Sequence, residues 1–181
     1  MLSITIPATE LWDEKQESFV SVKEQTLRLE HSLVSLSKWE SKHRKSFISN
    51  TDKTTEEVLD YVKCMTITQN VDPIVYRCLT RKNVDDINEY IAMPMTAVYF
   101  PEDQSGNKVR GDKVTSELIY YWMITQNIPF ECEKWQLNKL IALIRVCSMK
   151  NAPQKSMSKG DIYNRNRALN AARKKQLNTK G

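Results

Sequence analysis

Glycine is scarce in this chain: Gly106, Gly111, Gly160 and Gly181 are all it has in 181 residues. A sandwich or barrel of many short strands needs a turn every few residues, and glycine supplies the positive φ that tight turns demand. Four glycines cannot punctuate such a fold, so long helices are the expected alternative. At this length one domain with a sizeable core is the default. Hydrophobic residues at 40% and charged residues at 27% are ordinary for a water-exposed protein and exclude a disordered or membrane-embedded composition. No apolar run approaches the roughly 20 residues of a membrane span. The N-terminus MLSITIPATELWDEK lacks a basic leader and a long apolar stretch, so a secretory signal is not expected.

Patterning predicts strands at the start and helices after. Leu2–Ile6, Phe19–Val22 and Thr26–Leu29 alternate apolar and polar side chains, which predicts a small antiparallel hairpin or three-stranded sheet within residues 1–30. Pro7 ends the first strand because it donates no ladder bond. Leu29, Leu33, Leu36 and Trp39 fall at helical spacing, ahead of a basic helix end from Lys38 to Lys45. After a loop at 49–52, Thr54 followed by Glu56 and Glu57 opens a second helix, with Val58, Leu59, Val62 and Met65 as its inner face. Asp72 and Pro73 open a short helix to Leu79. Another covers Lys82–Ile91, capped by Asn83, with Val84, Ile87 and Ile91 inward, and Pro94 follows its end. Thr96–Phe100 is β-prone and reads as an extended segment against the body. Residues 101–112, with two of the four glycines, read as an exposed loop.

Two further helices follow. Val114–Gln126 is apolar almost all round from Leu118 to Ile124, and Pro129 breaks it. Glu131–Met149 reads as one long helix carrying Trp135. A helix apolar on every side belongs in a core or an interface between copies. Tyr120, Tyr121, Trp122, Met123 and Trp135 are accordingly core residues or, where exposed, anchors for a partner.

The charge is segregated. From residue 150 onward nine Lys/Arg stand against Asp161 alone, a net of +8 in a chain of +5, which leaves −3 for residues 1–149. The division predicted is a mainly helical body over 1–149, with N-terminal strands, and a basic C-terminal appendage over 150–181. A linker at 154–159 leads to a helix Asp161–Leu177 with a thin stripe of Ile162, Leu169 and Ala172. Such a tail fits phosphate neutralisation on nucleic acid, an acidic protein surface, or a merely solvated helix. Tyr163 is its one aromatic, so base stacking is poorly served, and no zinc finger, RNA-recognition or helix-turn-helix signature is present.

Catalytic and metal chemistry find no foothold. Cys64, Cys78, Cys132 and Cys147 lie in apolar stretches with no Cys-x-x-Cys spacing, so four reduced, buried thiols are expected and zinc is not. His31 and His43 have no acid or nucleophile at a recognisable spacing. Glu56/Glu57 and Asp85/Asp86 are adjacent pairs, which diverge on a helix and suit first turns. No phosphate loop or nucleophile elbow occurs, so no catalytic, metal or cofactor residue is nominated.

The segments LRLEHSLVSLSKWESKH, YVKCMTITQNVDP, PMTAVYF, ELIYYWMITQNIPFECEKWQLNKLIALIRVC and RNRALNAARKKQLNTKG resemble a group of tail morphogenesis proteins of long-tailed bacteriophages, the tail assembly chaperones. The resemblance runs over nearly the whole chain. It implies a small, mostly helical, self-associating, non-enzymatic protein of the host cytoplasm, without cofactor or membrane contact. It implies binding to the tape measure protein, and in some members a longer frameshifted form. Trp122 and Trp135 would then supply apolar contact to the client, and Arg165, Arg167, Arg173, Lys174 and Lys175 charge steering. A structural virion component, such as a head–tail connector or tail protein, and a nucleic-acid-binding protein remain the alternatives.

Overall fold

The computed structural model describes residues 1–13, 17–50, 52–100, 113–151 and 159–178. Strands β1 (Leu2–Ile6), β2 (Thr9–Asp13), β3 (Ser18–Val22) and β4 (Gln25–Leu29) come first. Helices α1 (Leu33–His43), α2 (Thr55–Met65), α3 (Arg81–Ala92), α4 (Ser116–Thr125), α5 (Leu137–Asn151) and α6 (Lys159–Leu177) follow. Short 3₁₀ helices occupy Pro73–Cys78 and Phe130–Lys134. The fold is mainly α with a small antiparallel β part, as the glycine count and patterning predicted. Contacts divide the chain into two units, Met1–Ser148 and Met149–Gly181.

The strands form the antiparallel hairpin expected and not a three-stranded sheet, with its ladder in two stretches. β1 pairs with β4 from Leu2↔Leu29 to Ile6↔Gln25, and β2 pairs with β3 from Thr9↔Val22 to Asp13↔Ser18. One register runs through both pairs. The four strands are thus a single antiparallel ribbon, interrupted where Pro7 and Ala8 lie opposite Glu24 and Lys23. Pro7 has no N–H for the ladder, which explains the interruption. Side chains alternate between faces along a strand. In β1 and β4 the inward face is Ile4, Ile6, Leu27 and Leu29, all buried. Beyond Pro7 the inward set switches to Leu11 and Val22, and Trp12 and Phe19 turn outward. Strand β2 escaped the sequence reading because Glu10 and Asp13 are poor strand formers.

The ribbon's end ties the helices together. Leu29 belongs to β4 and not to the following helix. Glu30 N–H donates to Met65 O (2.9 Å) and Ile67 N–H to Arg28 O (2.8 Å), so the end of α2 lies along β4. Leu137 N–H donates to His31 O (2.7 Å), which fixes the start of α5. Ser32 caps α1, with Ser35 returning the bond to the Ser32 backbone. Arg44 closes α1 in the left-handed region, with φ 54°. Helix α1 is the hub of the first unit and packs against α2 and α4. Leu33, Leu36 and Trp39 on α1 meet Tyr61 and Met65 on α2 in the fully buried core.

Several faces differ from expectation. Tyr61 fills the α2 interior, and Val58 is exposed. Thr80, not Asn83, is the N-cap of α3; Asn83 completes the box from the third position. Its inner side is Ile87 and Tyr90, with Val84 exposed. Asp72 caps the 3₁₀ helix at Pro73 as predicted, accepting from Ile74 N–H at 2.9 Å. Residues 96–100 form no strand, although Phe100 lies under the Arg145 guanidinium at 4.2 Å. Most consequential, residues 131–149 are not one helix. A 3₁₀ turn ends at Lys134, and α5 begins at Leu137, where the Gln136 side-chain oxygen accepts from Lys139 N–H (3.0 Å). The predicted loop at 101–112 and most of the linker at 154–159 lie outside the described residues.

Candidate interaction surfaces

On α4 the inward positions are Ser116, Ile119 and Met123. The helix is apolar on its other sides too, so large side chains are left over after the core is filled. Tyr121 and Ile124 are 60% and 58% exposed. Trp122 is half-buried and packs against the core, so of the two nominated tryptophans it offers less surface. Trp135 is 38% exposed and sits just past the 3₁₀ turn, with Lys139 Nζ 4.5 Å above its ring. Phe130, which the sequence reading did not single out, is 57% exposed. The Tyr120 ring lies 6.4 Å from that of Phe130, and its hydroxyl donates to Glu133 Oε2 at 2.8 Å. Burial, reinforced by this carboxylate, pushes the Tyr120 hydroxyl up to about 12. Tyr120 thereby locks the turn against α4 and holds Phe130 and Trp135 at the surface. Composition alone could not sort these residues into inner and outer, because both sides of α4 are apolar.

The second unit is simple. Every described residue of α6 is exposed, including Arg165, Arg167, Arg173, Lys174 and Lys175. Ile162 and Leu169 share one face at a spacing of seven residues, and Tyr163 is exposed as well.

The third cluster joins α1 and α2, and the sequence reading missed it. His43 Nε2 lies 2.8 Å from Asp60 Oδ2, and Lys42 Nζ lies 2.5 Å from Oδ1. These partners are 17 and 18 residues apart and meet only because the helices pack side by side. Burial opposes ionisation of Asp60, but the hydrogen bonds from Lys42 and His43 outweigh it and hold the carboxyl below its usual range. Lys45 and the Thr54 N–H do the same for Glu57. The His43 ring stacks on Trp39 at 4.4 Å, which fixes it from the other side. Cys64, one turn beyond Asp60, is half-buried; burial raises its thiol, so it stays protonated and is a poor nucleophile. Cys78 and Cys132 are buried as expected, whereas Cys64 and Cys147 are partly accessible; all four are free thiols. His31 is a core residue. Burial pushes it down to about 4, and its Nδ1 pairs with the Tyr61 hydroxyl at 2.6 Å.

Two grooves flank this cluster. One, of about 540 Å³, runs past Arg44, Lys113 and Glu117 to Glu40; the other, of about 590 Å³, lies over His43, Glu56 and Asp60. Glu40 is buried, and its two carboxylate oxygens accept from Phe47 N–H (2.9 Å) and Ser116 N–H (2.7 Å). It is a strut that pins the loop after α1 to the start of α4. Among the described residues no group of three His, Cys, Asp or Glu side chains is placed to hold a metal ion, and no helix is long and apolar enough to cross a membrane. No family model, curated protein or solved structure matches this chain.

Proposed function

We propose that the protein is a non-enzymatic tail assembly chaperone of a long-tailed bacteriophage, working in the host cytoplasm. It binds the tape measure protein and keeps it soluble until tail tube subunits polymerise around it. The observation that carries the reading is the set of large apolar side chains left exposed within residues 121–135: Tyr121, Ile124, Phe130 and Trp135. Exposed aromatics grouped on ordered elements mark partner surfaces, and a long apolar helical client is the partner that the resemblance implies. Several copies would coat the client reversibly, and the cations of α6 would steer the encounter.

Co-expression with the tape measure protein from the same genome is the test. The client is expected to be soluble with this protein and insoluble without it, and to lose that protection when Tyr121, Phe130 and Trp135 are replaced by Ser. Equal solubility in both cases overturns the reading. Mass spectrometry of purified particles separates it from a structural virion role: a chaperone is absent from the particle, whereas a connector or tail protein is present in stoichiometric amount.

Nucleic-acid binding is the second reading, favoured by the wholly exposed cations of α6. It requires duplex or single-strand affinity that falls steeply with salt and vanishes when residues 152–181 are removed.

A further inference from the structure

We infer that the outer end of the ribbon is a docking site for α6 of a second copy of this chain. Trp12 and Phe19 are cross-strand partners there, with ring centroids 5.1 Å apart and planes at 69°. They are 47% and 69% exposed. The other face of the same strands packs Leu11 and Val22 on the core. The aromatic pair is therefore held open by a face that is already satisfied. A two-stranded ribbon is marginal by itself and gains from a covering partner.

The charge around the pair indicates what covers it. Among the described side chains of residues 9–22, Glu10 and Glu17 are acidic and none is basic. Glu10 lies on the same face as Trp12, where Ser21 donates to its carboxylate at 3.4 Å. An exposed indole with a carboxylate beside it suits a cation on an apolar stem, best of all a guanidinium. Helix α6 carries the complement: six Lys/Arg against Asp161. On one of its faces Ile162 and Leu169 are followed one turn later by Arg173, so apolar and cationic groups alternate along a single stripe. Both surfaces are exposed in the same chain and opposite in sign. Because they are different surfaces, the contact is head-to-tail, and each copy uses its ribbon on one neighbour and its α6 on another. The contact draws on the same α6 cations as the proposed client steering, but its test reads self-association in the absence of any client, so its failure is distinguishable from failure of that reading.

Sedimentation velocity of the full chain at low and high salt tests the inference. The wild-type chain is expected to self-associate, less so at high salt. Glu10→Lys/Glu17→Lys in the ribbon and Arg167→Glu/Arg173→Glu in α6 are each expected to weaken association about tenfold or more. Trp12→Ala is expected to weaken it without changing any charge, and circular dichroism verifies that each variant is folded. Mixing the two charge variants restores association, because each supplies the complement of the other. A wild-type chain that stays monomeric, charge variants that associate as wild type does, or a mixture that does not recover each overturns the inference. A loss confined to the ribbon variants points to another occupant and overturns it equally.

Discussion

His31 is buried in the core with its Nδ1 on the Tyr61 hydroxyl, and protonation there means charging a desolvated ring. Its folded pKa is about 4, below the ordinary 6.5. The unfolded chain therefore binds the extra proton first as pH falls. The stabilisation is fully present above pH 6.5, erodes as pH drops through that value, and is gone by the folded value. Over the interval from pH 7 to pH 5 the loss is about 2 kcal/mol. Urea unfolding at both pH values is the measurement. His31→Gln is expected to be less stable overall, and to lose little further on acidification over that interval. An unchanged pH slope in the variant contradicts the assignment. Asp60 and Glu57 contribute in a separate, lower window. Their carboxyls are held below the ordinary range, so their contribution is lost only as pH falls through about 4 and below.

At the scale of elements, the least conspicuous joint is the most consequential. Glu40 joins the loop after α1 to the first turn of α4 through two backbone N–H groups, beside Ser46 and Ser49, which bond the Val114 backbone. Glu40→Ala leaves both donors unsatisfied in a buried place and is expected to cost about 3 kcal/mol, read from the urea midpoint. A midpoint unchanged from wild type sinks the strut. Nothing in the sequence flags Glu40, because its partners are 7 and 76 residues away and one of them opens a helix across the core. The capping box at Thr54 and the Asp72 cap, which accepts from Ile74 N–H, were legible for the opposite reason: the donor, acceptor and spacing lie within a few residues. The same contrast explains the missed partners of His43, which come from α2. It also explains α5. Apolar periodicity runs from Glu131 to Met149, but the decisive event is local: Gln136 takes the cap, so the chain turns at Trp135 and sets that ring at the surface. The exposed anchors were half legible. Tyr121 and the tryptophans stand out by type and Phe130 does not, and which of them reach solvent follows from which side of α4 the core used.

At the scale of the whole molecule, the charge asymmetry separates folding from function. No described residue of α6 is buried, so this helix contributes no apolar burial to the fold. Removing residues 152–181 takes away eight Lys/Arg and Asp161 and carries the net charge from +5 to −2. The shortened chain, which keeps all of α5, is expected to unfold at the same urea midpoint within about 0.5 kcal/mol. On the chaperone reading proposed above, its encounter with a client loses electrostatic steering, so protection of the client in co-expression is expected to weaken, and its residual protection to become insensitive to salt. The two readouts move independently, and that gives the prediction its force. A large fall in the midpoint makes α6 part of the fold and not an appendage. Full protection by the shortened chain removes the basic tail from the mechanism and leaves Tyr121, Ile124, Phe130 and Trp135 to hold the client alone.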